Sequence, residues 1–287
     1  MREFKEFVMK LKPLCIIFCL ILSIQNCSFA ANNVALTDTQ LIKKIKKLDK
    51  KIDKKPDKAK LYIERGFLKF SLKDYGSALE DYALAEDIEP NNADIFYSKG
   101  RVWYEKGKYQ YALEEFDKAI ELNREDSKIY LSRGLAREKS DDLDGALRDF
   151  NLAIKYNRKS SAALINRGIV YNRKGYHEKA LSDYQRAIKL CKYAPDAYYN
   201  MGLTYCNLEN YEDAVDCFSV AIEQDPKYGM AYYRRGQAYL KLDNQQFAKS
   251  DFQMARQLLP ANQKIKEDLD NLKKQLDDML KEEKIYY

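Results

Sequence analysis

A single histidine stands among the 287 residues, and its scarcity narrows the chemistry open to the chain. A histidine-rich metal site needs several imidazoles, and a nucleophile–histidine triad needs one held by its own acid. His177 falls instead where comparable stretches carry Tyr75, Tyr109 and Tyr211, so it is read as a packing residue. No phosphate-cradling glycine loop and no dinucleotide fingerprint occurs. Carboxylates are plentiful, but at helix-face spacing, where solvated ion pairs are expected. The chain is therefore expected to be no enzyme and to need no cofactor and no metal. No Asn-x-Ser/Thr acceptor follows residue 30, which favours a bacterial envelope over a eukaryotic secretory route. The longest apolar run, Leu14 to Ile24, has eleven residues, short of the roughly 20 that span a bilayer.

Glycine is scarce as well, with 11 residues, yet six of them keep register: 66, 100, 134, 168, 202 and 236, at steps of 34. Alanines 78, 112, 146, 180, 214 and 248 follow the same step, as do alanines 85, 119, 153, 187, 221 and 255. Between the alanine columns lies an aromatic column, Tyr82, Phe116, Phe150, Tyr184, Phe218 and Phe252. Within one unit, Phe96, Trp103 and Tyr104, then Leu113, Phe116 and Ile120, recur at helical spacing, and Gly107-Lys108 interrupts them. Each unit is thus a helix hairpin. Glycine inside a helix costs about 1 kcal/mol against alanine, so six in register require close approach of a neighbouring helix. One hairpin cannot bury its apolar face, whereas stacked hairpins cover one another.

A large residue opens each first helix (Tyr62, Phe96, Tyr130, Leu164, Tyr198, Tyr232), and Pro90, Pro226 and Pro260 close three units, where Arg124, Arg158 and Lys192 stand in the others. With the glycine, alanine and aromatic columns, this pattern resembles the tetratricopeptide repeat. The resemblance implies an all-α superhelix of six hairpins at 59–92, 93–126, 127–160, 161–194, 195–228 and 229–260. It also implies binding of another protein on a concave face lined by the first helices. Carried over position by position, that face comprises Tyr97, Arg101 and Tyr104, then Asn166, Asn172 and Arg173, then Tyr199, Asn200, Asn207, Tyr233 and Arg234. Amides that pair with a peptide backbone, guanidinium forks and rigid tyrosines suit an extended polypeptide. No unit combines lysine at its fifth position with asparagine at its ninth, the pair of the chaperone-tail clamp known in some relatives, so such a tail is not the expected ligand.

The ends carry their own signals. Residues 1–30 read as a secretory signal: Arg2, Lys5, Lys10 and Lys12, then the apolar run, then Ser28-Phe29-Ala30 for cleavage. Export to the periplasm or outside is expected. Retention of the run as an anchor and lipidation of Cys27 are the alternatives, with Asn26 a poor fit to the latter. Residues 31–58 form a basic cap, in which Leu41, Ile45, Leu48 and Ile52 mark an amphipathic helix and Pro56 stands 34 residues before Pro90, in phase with a degenerate zeroth repeat. From Ala31 to Lys60 there are 10 lysines and 4 acids, whereas 61–287 holds 36 basic and 38 acidic residues. Nucleic acid is therefore not an expected partner of the repeat body, while the basic cap offers contact with an anionic surface or simply a solvated face. Residues 261–287 carry Ile265, Leu269, Leu272, Leu276 and Met279, a spacing that serves a capping helix or pairing between chains. Oligomeric state stays open. Cys191, Cys206 and Cys217 remain beyond the signal, an odd number that points to a spare thiol or an intermolecular bond, or else to buried small apolar residues.

One internal correlation goes beyond the family pattern. The residue before each repeat glycine is Arg65, Lys99, Arg133, Arg167, Met201 or Arg235, and the residue before each second-helix aromatic is Asp81, Glu115, Asp149, Asp183, Cys217 or Asp251. Five cations accompany five acids, and the fifth unit loses both. A direct contact between the two helices of each hairpin is expected. For function, the alternative to a peptide groove is an envelope scaffold acting through the capping helices or the convex face.

Overall fold

The computed structural model describes residues 37–283, with side chains omitted for 273 and 275–283. The signal segment 1–30 with Cys27, and the side chains of Leu276 and Met279, lie outside what is described. Among the described residues there are fourteen helices and no strand. They fall into two compact units, one ending at Pro90 and the other beginning at Asn91.

The first unit holds α1 (Asp38–Ile52), α2 (Ala59–Ser71) and α3 (Tyr75–Ile88). Thr37 starts α1 with a capping box, its hydroxyl accepting from the Gln40 backbone while the Gln40 side chain accepts from that of Thr37. Leu41, Leu48 and Ile52 are the buried side of α1, which packs on α2. The second unit holds five hairpins: α4 (Ala93–Glu105) with α5 (Tyr109–Leu122), α6 (Ser127–Lys139) with α7 (Leu143–Tyr156), and α8 (Ser161–Arg173) with α9 (His177–Leu190). They continue as α10 (Pro195–Asn207) with α11 (Tyr211–Gln224), then α12 (Gly229–Lys241) with α13 (Gln245–Leu258), and α14 (Gln263–Glu283) follows. On α14, Ile265, Leu269 and Leu272 are buried against Tyr233, Phe252 and Ala255, covering the last hairpin.

The glycine column now has a cause. A Cβ on Gly134 would stand 2.6 Å from the Phe150 ring, and the other five repeat glycines meet the aromatic sixteen residues on in the same way. The rings fill the hairpin, and only hydrogen leaves room for them. Alanines 78, 112, 146, 180, 214 and 248 are fully buried beside those rings. Turns are equally regular: Lys73, Gly107, Asp141, Gly175, Glu209 and Asp243 all have positive φ, though only two are glycine. Asp74, Asp142 and Asn210 then cap the second helix by accepting from the backbone N–H three residues on.

Between hairpins, Arg124 and Arg158 occupy the same turn that Pro226 occupies, so proline is not needed there. The joint at Lys192 differs. Pro195 opens α10, and Gln224 clamps the link by accepting from the Ala194 backbone at 2.8 Å and donating to the Lys192 carbonyl at 3.0 Å.

Candidate functional site

Within Asn91–Tyr287 the first helices of successive hairpins pack on one another, α4 on α6, α6 on α8, α8 on α10 and α10 on α12. They therefore share one face, and the eleven residues expected to bind lie on these helices. What surrounds them is largely a lateral network one repeat long. Arg173 donates to Glu138 at 2.5 Å and to Asp141 at 2.7 Å. Asn207 donates to Asn172 at 3.1 Å, and the Asn172 oxygen also lies 2.8 Å from His177 Nδ1. Ser132 donates to the Tyr97 hydroxyl at 3.5 Å, and Tyr233 donates to Asp268 at 2.6 Å. These cross-repeat bonds join residues 35 apart, apart from Asp141, so the face is stitched together by the side chains expected to meet a ligand. Asn166 and Asn200 use their amide N–H on the carbonyls of Ala162 and Asp196 in their own helices.

The tyrosines divide by depth. Tyr199 is half-buried, its ring 4.9 Å from Tyr228 and 5.8 Å from Phe218. Tyr97 leans on Phe116 with Arg101 over its ring. Burial, then the neighbouring Tyr109 and Glu138, pushes the Tyr104 phenol up. Tyr233 is only 5% exposed, and burial with the bond to Asp268 pushes its phenol up to about 12. It supports the floor of the face and does not present itself.

Two hollows remain. A notch of about 120 Å³ between the second and third hairpins is lined by Arg101, Tyr104, Glu105, Phe116, Ser132 and Leu135. A cavity of about 620 Å³ lies between α10, α12 and α14, lined among others by Cys206, Tyr211, Arg234, Gln237, Lys241, Asp268 and Asn271. Arg234 donates from Nη1 to Gln237 at 2.9 Å, while its Nε is buried without a hydrogen-bond partner among the described residues. Arg234 holds a repeat position that carries over from unit to unit, whereas the polar wall supplied by α14 does not, because a capping helix has no repeat position. Cys206 is a free thiol at this cavity, its pKa raised by burial. Among the described residues no cluster of three or more His, Cys, Asp or Glu is placed to hold a metal ion.

Models of the tetratricopeptide repeat match residues 59–92 and 195–228, and a TPR-repeat model matches 100–141 and 170–209. No curated protein matches the sequence. Among solved structures, Cut9 in the APC/C Cut9–Hcn1 hetero-tetramer superposes with a TM-score of 0.71 at 16% identity, over 82% of this chain and 46% of that one. This chain thus spans less than half of that relative's length. The TPR protein YrrB, described as having an unusual peptide-binding site, is 27% identical, with a TM-score of 0.52 over 64% of this chain and 95% of that one. PilF of Pseudomonas aeruginosa gives 0.64 at 15% identity, over 74% and 97%.

Proposed function

The chain belongs to the tetratricopeptide-repeat family of protein–protein interaction modules, and from that premise we propose that it grips an extended polypeptide along the shared face of α4, α6, α8, α10 and α12. The observation that carries this reading is the cavity of about 620 Å³ at Arg234. A buried guanidinium N–H without an acceptor costs about 1–3 kcal/mol, more where the group is charged. A backbone carbonyl or side-chain oxygen of a bound segment would relieve that cost. Lys241, Gln237 and Asn271 surround the same space with further donors, while Leu240, Leu272 and Ala238 give it an apolar floor. That mixture fits an anchor residue with a polar end. The description of YrrB supports a peptide as the ligand, since that protein aligns over nearly its whole length. The lateral network has a role in this reading: side chains already ordered lose less freedom on binding. No catalytic step is assigned to the face.

Export, with removal of residues 1–30 and binding in the periplasm or outside the cell, rests on the order of basic, apolar and small residues at the start of the sequence. N-terminal mass determination checks this directly.

Selection from a random peptide library against the full chain tests the groove. Enriched peptides should lose at least tenfold in affinity on Arg234→Ala and keep it on Gln253→Ala, an exposed position on the second helix α13. Equal loss in both, or in neither, would remove the groove from the account and favour a scaffold working through other surfaces.

A further inference from the structure

Helix α1 carries charge of one sign on one side. Its apolar stripe, Leu41, Leu48 and Ile52, is buried. On a helix of 3.6 residues per turn, Lys43, Lys46, Lys47 and Lys50 fall opposite that stripe, with Lys44 and Lys51 beside them; all six are exposed. The acids Asp38, Asp49 and Asp53 gather on the other flank, and Asp49 is committed to Arg65 at 2.8 Å. None of the six lysines has an ion-pair partner among the described residues. Several cations elsewhere are paired, among them Lys69 with Asp81, Lys99 with Glu115, Lys174 with Asp144 and Lys264 with Asp268, whereas α1 gathers these six without a partner on one side.

A terminal repeat needs a polar outer face, but solubility does not require a single sign. The other cap shows as much, since α14 carries five lysines and seven acids. We propose that the lysine face of α1 docks the protein on a bilayer rich in anionic phospholipid. Headgroup charge is spread over a plane, and a row of compact, flexible ammonium groups matches it. Nucleic acid is a poorer fit, because α1 has no arginine to fork onto bases and no aromatic to stack on them. This surface belongs to the first unit and is independent of the groove, so either reading can fail without the other.

The test is flotation of the full chain with vesicles of phosphatidylcholine alone and with about one third phosphatidylglycerol. Binding should rise with the anionic fraction and fall steeply at about 0.5 M salt, where screening is short-ranged. Each lysine near the surface is worth about fivefold in partitioning, so K43Q/K46Q/K47Q/K50Q together should lower anionic binding on the order of 10²–10³-fold. The matching lysine-to-arginine variant keeps the charge and should keep the binding, as should Lys264→Gln with Lys266→Gln on α14. Unchanged helicity by circular dichroism would show that the variants are folded. Equal binding to both vesicle types, or no effect of the four substitutions, would overturn the proposal. So would tight binding to duplex DNA or a polyglutamate chain without binding to anionic vesicles.

Discussion

Arg133 donates from Nε and Nη2 to both carboxylate oxygens of Asp149, at 2.9 and 2.6 Å. Its remaining nitrogen reaches Asp117 on the preceding hairpin at 2.7 Å. Arg65 does the same with Asp81 and Asp49, Arg167 with Asp183 and Asn151, and Arg235 with Asp251 and Ser219. One guanidinium therefore closes its own hairpin and pins that hairpin to the one before it. A lysine cannot fork in this way, and in the second repeat Lys99 reaches one oxygen of Glu115 at 3.2 Å while the other is buried without a hydrogen bond.

The two sides of the Arg133–Asp149 pair should respond unequally to mutation. Asp149 is fully buried and also receives Arg137 at 2.9 Å, so Asp149→Ala takes the forked acceptor from Arg133 and an acceptor from Arg137 at once. A loss of about 3–5 kcal/mol is expected. Arg133→Ala leaves Asp149 with Arg137 and should cost less. The double variant should fall short of the sum by about 0.5–3 kcal/mol, measured by urea denaturation. Strict additivity would remove the coupling.

The fifth repeat offers the converse experiment. Met201 and Cys217 are both buried, in the places that the cation and acid hold elsewhere. Met201→Arg alone puts a charge against a thiol and should cost several kcal/mol. Adding Cys217→Asp restores the fork, and the register places Gln185 where Asp117 and Asn151 serve the other arginines. The pair should therefore recover most of the loss. A double variant no more stable than Met201→Arg would show that the surroundings of the fifth hairpin have repacked around sulfur.

What could be read from the sequence follows from what repeats in kind. The glycine, alanine, aromatic and cation–acid columns each repeat one chemistry, so spacing alone exposed them, including the joint loss at Met201 and Cys217. The inter-hairpin acceptors did not, because carboxylate, amide and hydroxyl alternate at Asp49, Asp117, Asn151 and Ser219 and form no visible column. The turn column was hidden likewise, with glycine only at 107 and 175. On the shared face, spacing told which side Arg173, Asn207 and Tyr233 occupy. It did not tell that each reaches sideways to a neighbour 35 residues away, since that depends on how far one helix is offset from the next.

Glycines in the two columns should behave oppositely to substitution at the turn. Gly134→Ala pushes a methyl to 2.6 Å from the Phe150 ring and should cost about 1–3 kcal/mol. At Asp243, φ is +56, a left-handed conformation that costs a non-glycine residue about 1 kcal/mol. Asp243→Gly should accordingly raise stability by up to about 1 kcal/mol despite the added freedom of the unfolded chain. Thermal melting separates the two signs, and a destabilised Asp243→Gly would mean that the Asp243 side chain contributes more than its backbone costs.

Alkali should open the fold from its phenols. Burial holds the protons of Tyr104, Tyr130, Tyr228 and Tyr233 above the ordinary tyrosine value, with Asp196 reinforcing Tyr228 and Asp268 reinforcing Tyr233. A group whose pKa is higher in the folded chain than in the unfolded one contributes stability that is complete below the unfolded value, about 10, and lost as pH rises through the folded value. For Tyr233 that value is about 12, so the stabilisation should drain away between roughly pH 10 and pH 12. Tyrosinate absorbance near 295 nm should lag behind that of a free tyrosine and rise together with the loss of helical circular dichroism. Tyr233→Phe should weaken the hold of α14 at neutral pH, where the bond to Asp268 is intact, and flatten the stability profile above pH 10. If the phenols titrate as free tyrosine with the helices still intact, the buried hydroxyls are open to solvent and the burial of Tyr233 beneath α14 must be abandoned.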